Sequence, residues 1–280
     1  MSPPFVTIVM ATYNAAATLP RCLDSLRMQT FRGFEVVVMD GGSTDGTVDI
    51  LKSAGDVVTH WHSERDRGIY HAWNKALAHA HGEWICFLGG DDRLHDAHAL
   101  ERIIPFLRNP GSRRVVYGRL RQVDEQGRVV AEIGETWERA KGAFRAYRCL
   151  PHSGLMHHRS LFELHGPFDE SLRIAADYEF LLRELKDRDA LFAPVPVVDM
   201  TFGGQSTQPE NLTRMYGEVR SALARHGLKP PAMRWALITG VARVYDGLRS
   251  VLGDRAARRL ADLFRVLTLR KPRYGAPSRE

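Results

Sequence analysis

Cysteine is scarce. Cys22, Cys86 and Cys149 are widely separated and odd in number among 280 residues, which excludes a disulfide framework or a cysteine zinc site and marks thiols that stay reduced. Long apolar runs are missing as well: no stretch reaches the ~18 residues of a membrane-crossing helix. The opening MSPPFVTIVMATYN has no basic segment ahead of its apolar one, so a secretory leader is not expected. These absences predict a cytoplasmic protein, free or peripheral on the inner face of the plasma membrane. Also absent are the Gly-Lys-Ser/Thr ending of a P-loop, the G-x-G-x-x-G of a dinucleotide fold, internal repeats and low-complexity tracts.

What is present is an ordinary globular composition, 44% hydrophobic and 26% charged with a net charge of +6, enough to bury a core as one large domain plus an appendage. The charge is uneven. Residues 211–280 hold 15 Lys+Arg against 5 Asp+Glu, and the rest holds 24 against 28. This asymmetry predicts a larger unit over 1–210 and a basic helical extension over 211–280.

Short β-branched runs at residues 5–10 (FVTIVM), 34–39 (FEVVVM) and 83–88 (EWICFL) alternate with helical spacing. Leu19, Cys22, Leu23 and Leu26 make one such stripe, Val48 and Leu51 a second, and Ile69, Trp73, Ala76, Leu77 and Ala80 a third. Alternating elements predict an α/β fold with a Rossmann-like, mostly parallel sheet. Residues 115–130 read instead as two strands with a turn near 125–127, a small antiparallel addition. Helices are expected near 159–164 and from about Ala176.

Parallel sheets bind ligands beyond the carboxyl ends of their strands, so chemistry is expected in ATYN (11–14), DGGSTDG (40–46) and GGDD (89–92). The second of these is not a calcium loop, because Leu51 stands where the bidentate glutamate belongs. A turn with a helix cap accounts for Ser43, Thr44 and Asp45 but not for Asp40 at a strand tip. Asp91 and Asp92 pose a sharper problem, since adjacent carboxylates repel unless a cation sits beside them. Mg²⁺ or Mn²⁺ suits hard carboxylate oxygens and completes its shell with substrate phosphates; the plain alternative is one helix cap and one solvated aspartate.

Four segments occur in order: VTIVMATYNAAATLPRCLDSL, VVVMDGGSTDGTVDIL, SERDRGIYHAWNKALAHAHGEWICFLGGDD and FDESLRIAADYEF. Together they resemble glycosyltransferase family 2, the inverting, metal-dependent enzymes of GT-A fold, over residues 6–180 and weakly to GGQS at 203–206. The wording is most similar to enzymes assembling bacterial surface polysaccharides or glycolipids. The resemblance implies a nucleotide-sugar half over 1–95 and an acceptor half over 96–210. It also implies a nucleotide-diphosphate sugar donor, a UDP-sugar first among them, and a saccharide or lipid-linked acceptor.

The same resemblance implies roles for single residues. Thr12, Tyr13 and Asn14 would lie along the nucleotide, and Asp40 would accept from a base N–H. Asp91 would lie against ribose and metal, and Asp92 would ligate Mg²⁺ or Mn²⁺. Arg67 would neutralise phosphate charge or else pair with Glu64 or Asp66, and Asn74 would fix the donor sugar or a loop. Asp177 stands where the family carries its catalytic base, with Glu179 as a substitute on another face of the helix. One departure is Gly89, where the family usually has an acidic or amide side chain; the ribose contact is then weakened or moved to Asp91.

His152, His157 and His158 read as packed or solvated rather than as ligands, and GGQS as a closing loop or an ordinary turn. The segment 235–270 mixes apolar residues at helical spacing with many arginines, which fits an anionic membrane surface or a helical pair docked on the domain. No nucleic-acid motif accompanies it. Two other classes remain: a nucleotidyltransferase, for which MATYNAAAT lacks the arginine- and lysine-bearing loop, and a non-catalytic glycan- or nucleotide-binding homologue, which Gly89 alone favours.

Overall fold

In this computed structural model, residues 3–124, 126–201 and 211–267 are described. The first strand, β1 (Val6–Thr12), is buried along nearly its whole length. It lies parallel to β2 (Phe34–Asp40) and β4 (Trp84–Phe87), and β2 lies parallel to β3 (His60–Ser63). The two faces of this sheet fill two cores, which is why the strands are apolar without alternation. Val9, Val37, Met39 and Phe87 belong to one core, and Ile8, Met10, Val36, Val38 and Cys86 to the other. Helices α1 (Leu19–Arg27), α2 (Thr47–Ser53) and α3 (Ile69–Leu77) make the crossovers. The first carries Leu19, Cys22, Leu23 and Leu26 as its buried stripe, as their spacing predicts.

Beyond β4 follow β5 (Arg93–Leu94), α4 (Ala99–Arg108), β6 (Val115–Val123), β7 (Val129–Ile133), α5 (Trp137–Phe144), β8 (Met156–His158), α6 (Ser160–His165), α7 (Ala176–Leu185) and β9 (Leu191–Thr201). The described strands form one sheet of order β3-β2-β1-β4-β8-β6-β9-β5, with β7 paired to β6. The expected hairpin is β6–β7, its Glu125 lying outside the described residues. The antiparallel part is larger than expected: β8 wedges between β4 and β6, and β5 pairs β9. Strand β9 escapes sequence rules because Pro194 and Pro196 interrupt it, and its parallel register with β6 slips at those prolines.

Helix α8 (Leu212–Arg225) follows, then α9 (Ala232–Leu267), which has a non-helical break at Gly253. Val219, Ala222 and Leu223 of α8 are buried in the same core as Phe180 and Leu181 of α7, so the basic extension begins as part of the domain. No described helix is long and apolar enough to cross a membrane.

Gly154 ties the antiparallel wedge to the parallel half. Its N–H donates to Phe87 O at 3.1 Å, its φ is +78°, and a Cβ there would stand 2.4 Å from Val198 Cγ2. A Gly154→Ala substitution therefore adds left-handed strain to overpacking, and the expected loss is about 2–4 kcal/mol. Urea unfolding measures it; an unchanged midpoint would contradict this packing.

Candidate active site

The loops after β1 and β2 are fastened to each other at the carboxyl edge of the sheet. Thr12 and Asp40 stand opposite in register, and Thr12 Oγ1 donates to Asp40 Oδ1 at 2.9 Å. Asn14, held at φ +48° in a region that asparagine tolerates, donates its N–H to Ser43 Oγ and accepts from Thr44 N with its side chain. Ala15 N donates to Thr47 Oγ1 and Ala16 N to Asp45 Oδ2. The polar residues of DGGSTDGT thus brace the first loop. The N-cap residue of α2 is Gly46, which has no side chain to cap with; Asp45 Oδ1 accepts from Thr47 N at 3.0 Å at the start of that helix, in line with the capping expectation.

Asp40 is 1% exposed and accepts from Thr12, Ser63 and Ser43 side chains and from Gly42 and Ser43 amides. Burial would raise its pKa, but these bonds, led by Ser43, hold it below the usual carboxylate range. With five donors on two oxygens its lone pairs are full. Reading a base N–H would require one hydroxyl, that of Ser43 or Ser63, to rotate away.

An open cavity of about 270 Å³ lies between these loops and the end of β4, lined by Thr12, Tyr13, Asn14, Thr18, Gly90 and Asp91. Tyr13 is 69% exposed at its rim, a flat apolar ring presented to solvent. Asp92 is buried, with Oδ2 accepting from Ser153 Oγ at 2.6 Å and Oδ1 from Thr201 N at 3.1 Å. Thr201 Oγ1 and Arg21 both donate to the Asp91 carbonyl. Burial, then the neighbouring Asp91 charge, pushes Asp92 up to about 7. Among the described residues neither aspartate joins an ion pair.

Gly89 explains how the two carboxylates come together. A Cβ at that position would meet Asp91 Oδ1 at 2.7 Å and Asp92 Oδ2 at 3.1 Å, so both carboxylates close over the bare Cα. The missing side chain is the space they occupy, and the feature that favoured a degenerate homologue is the point over which the two carboxylates meet. Among the described residues no group of three or more His, Cys, Asp and Glu could hold a metal alone. A pair of convergent carboxylates fits Mg²⁺ or Mn²⁺ shared with a diphosphate, because such ions keep few protein ligands. Arg21, Ser153 and Thr201 were not foreseen; they reach the pair from 70, 61 and 109 residues away, and no local pattern signals them.

Asp177 occupies the first turn of α7, with Oδ1 accepting from Tyr178 N at 2.8 Å and from the Tyr70 hydroxyl at 3.2 Å. Because α3 begins just beyond β3, Tyr70 in its first turn ties Asp177 to the same edge of the sheet. Burial pushes Asp177 up to about 6, against the bonds from Tyr178 and Tyr70, a suitable range for a base working near neutrality. Glu179 is no substitute: it is buried and paired with Arg183 and His226.

The remaining candidates divide. Arg67 is exposed and pairs with Glu170 at 2.5 Å, not with Glu64 or Asp66, so its partner is a carboxylate from the 168–175 segment. Asn74 departs further from sugar binding: both its amide donors go to Phe168 O and Glu170 Oε1, and its oxygen accepts from Phe168 N. It fixes the loop. His152 and His157 lie in an aromatic cluster with Trp73 and Phe87, where burial lowers both; they are packed, as expected. The 203–206 segment lies outside the described residues.

Comparison with known proteins places the chain among glycosyltransferases. The model of "Glycosyl transferase family 2" matches residues 7–162. A "PGL/p-HBAD biosynthesis glycosyltransferase" of Mycobacterium bovis is 35% identical over 192 residues, covering 65% of this chain and 70% of its own. An Escherichia coli "Chondroitin synthase" is 30% identical over 187 residues, 64% of this chain and 26% of that longer protein. Among solved structures, Staphylococcus aureus TarS 1–349 with UDP-GlcNAc aligns with a TM-score of 0.61 at 20% identity, covering 84% of this chain and 70% of that one. Mannosyltransferase PcManGT of Pyrobaculum calidifontis, with GDP-Man and Mn²⁺, gives 0.62 at 20% identity over 96% and 81%. At that identity the structures show the shared GT-A fold.

The raised Asp177 has a thermodynamic signature. Its folded pKa of about 6 exceeds the ordinary 3.8, so the fold is favoured by the protonated form, and the stability this contributes is lost as pH rises from about 4 through 6. Asp177→Asn should therefore be more stable than the parent at pH 7, by on the order of 1 kcal/mol, and less pH-dependent. Melting curves from pH 5 to 8 test this; equal destabilisation at every pH would contradict it.

Proposed function

The chain belongs to glycosyl transferase family 2, and on that premise we propose that it moves a sugar, with inversion, from a nucleotide-diphosphate donor to a saccharide or lipid-linked acceptor of the bacterial cell surface. It is a glycosyltransferase of the hexosyltransferase type, and the donor proposed is a UDP-sugar. The observation that carries the reading is the convergence of Asp91 and Asp92 over Gly89, a like-charge pair whose carboxylates join no ion pair among the described residues, Arg21 bonding, of the pair, only the Asp91 carbonyl. The relative named for PGL/p-HBAD biosynthesis and the TarS complex with UDP-GlcNAc support the acceptor and donor classes.

The division of labour follows from the environments. Tyr13 would cover the base with its exposed ring, Thr12 and Asn14 would wall the nucleotide, and Asp40 would read it from the loop it braces. Asp92, fixed by Ser153 and Thr201, and Asp91 beside it would hold Mg²⁺ or Mn²⁺. When bound, that ion supplies Lewis-acid stabilisation of the leaving diphosphate. Asp177 takes the proton of the attacking acceptor hydroxyl, and Arg67 adds positive charge at the rim. Asn74 serves through the segment it anchors.

The basic extension supplies the proposed membrane contact. On α9, Met233, Leu237, Val244 and Val251 are 88%, 67%, 64% and 81% exposed, while Ala242 and Tyr245 are buried and Trp235 packs against the domain core. Exposed Arg214, Arg220 and Lys229 lie on and after α8. An apolar stripe with basic neighbours suits an anionic lipid surface. Vesicles of phosphatidylglycerol in phosphatidylcholine should sediment the parent chain and release a Val244→Asp, Val251→Asp double variant; equal sedimentation of the two contradicts the contact.

The donor reading is tested by thermal stabilisation with UDP, GDP and TDP, each with and without Mn²⁺. One nucleotide, UDP first, should raise the melting temperature in Mn²⁺, as a ligand at 100 Kd adds about 2.7 kcal/mol, and the gain should vanish in Asp92→Asn. No response to any nucleotide would return the chain to the non-catalytic class.

A further inference from the structure

The amides ahead of α7 have no partner in their own irregular segment. They find one in the C-terminal extension. Glu218 of α8 accepts from Arg173 N at 3.1 Å with Oε1, and from Ile174 N at 2.8 Å and Ala175 N at 2.9 Å with Oε2. The Ile174 peptide is gripped from its other side as well, since the Tyr70 hydroxyl donates to Ile174 O at 2.7 Å and also to Asp177 Oδ1. Two residues after Ala175 the chain reaches Asp177.

We propose that Glu218 is a positioning residue for the Asp177 carboxylate, which makes α8 a working part of the transfer site and not an appendage. The proposal rests on the reading of Asp177 as base. A carboxylate gathering three N–H donors at a helix start makes strong, charge-assisted bonds. Without it, three amides, those of Ile174 and Ala175 partly buried, lose their acceptor, and the peptide that sets Asp177 is held only by Tyr70.

Helix α8 is itself well placed to act as a fixed support. His226, just past its end, bonds Glu179 at 2.9 Å, Arg225 pairs with Asp169, and Val219, Ala222 and Leu223 are buried. Both ends of the 169–179 stretch are thus tied to one helix. The groups facing Asp177 are Tyr70 from α3, Cys149 from the segment after α5, with Sγ 4.0 Å from Oδ2, and Glu218 from α8. Of these Glu218 is the anion, and its charge adds to burial in holding the Asp177 proton. Glu218→Gln keeps the shape, reduces the acceptor strength and removes the charge.

The test follows nucleoside diphosphate release in Mn²⁺ from UDP-glucose, UDP-GlcNAc and GDP-mannose, with water as acceptor. Parent, Glu218→Gln, Glu218→Asp and Asp177→Asn are compared across pH 5 to 8. Glu218→Gln should lose about tenfold in kcat, as misplacement of a reacting group does, with donor KM within about twofold and the acid limb moved to lower pH. Glu218→Asp, which keeps the charge on a shorter arm, should lower kcat while leaving the acid limb in place, and it decides the matter if the glutamine variant fails to fold. Wild-type kcat and acid limb in Glu218→Gln, with Asp177→Asn inactive, would overturn this proposal alone. Turnover retained by Asp177→Asn would overturn the base assignment and the proposal with it.

Discussion

Two carboxylates held side by side at the mouth of a buried strand repel each other, and the rest of the site is arranged around that repulsion. The strand cannot give way, because β4 is buried between β1 and β8. Asp92 cannot turn to water, because Ser153 and Thr201 hold both its oxygens. Asp91 closes over the bare Gly89 toward it. A half-buried pair of this kind is destabilising in isolation, and a divalent cation would relieve it.

Three aspartates at one edge of the sheet are thereby given three electrostatic characters by their surroundings. Asp40, saturated with donors, is held ionised. Asp92, desolvated beside a like charge, is pushed toward neutrality. Asp177, desolvated but bonded by few donors, stands near the range useful to a base. Separating the titrations of chemically identical groups is how one fold assigns them different tasks.

Much of the parallel half was legible in the amino-acid order, because apolar strands ending in polar loops carry the crevice rule with them. Thr12, Tyr13, Asn14, Asp40 and the Asp91-Asp92 pair all lie at the predicted edge. The hidden parts are those that depend on distant contacts. Pro194 and Pro196 disguise β9, so Thr201, which ends it, carries no motif. Asn74 reads as fixing either the donor sugar or a loop by its place in DRGIYHAWNKA, and only the distant contacts with Phe168 and Glu170 decide for the loop. Glu218 belongs to a stretch whose basic charge suggested a separate unit, while its partners are amides over 40 residues earlier. Gly89 is the instructive case: as a letter it looked like a lost ligand, and in three dimensions it is the room into which two carboxylates close.

The most direct test of that convergence is the affinity of Mn²⁺, measured by calorimetry on the chain saturated with UDP, in the parent and in Gly89→Ala. The added Cβ would stand closest, at 2.7 Å, to Oδ1 of the half-buried Asp91, a side-chain end that can move, so folding stability should change little. The account predicts that Mn²⁺ affinity falls at least about tenfold, a loss of about 1.4 kcal/mol, as Asp91 is driven off its partner. Undiminished Mn²⁺ binding in Gly89→Ala would contradict the claim that the paired carboxylates over this glycine form the cation site.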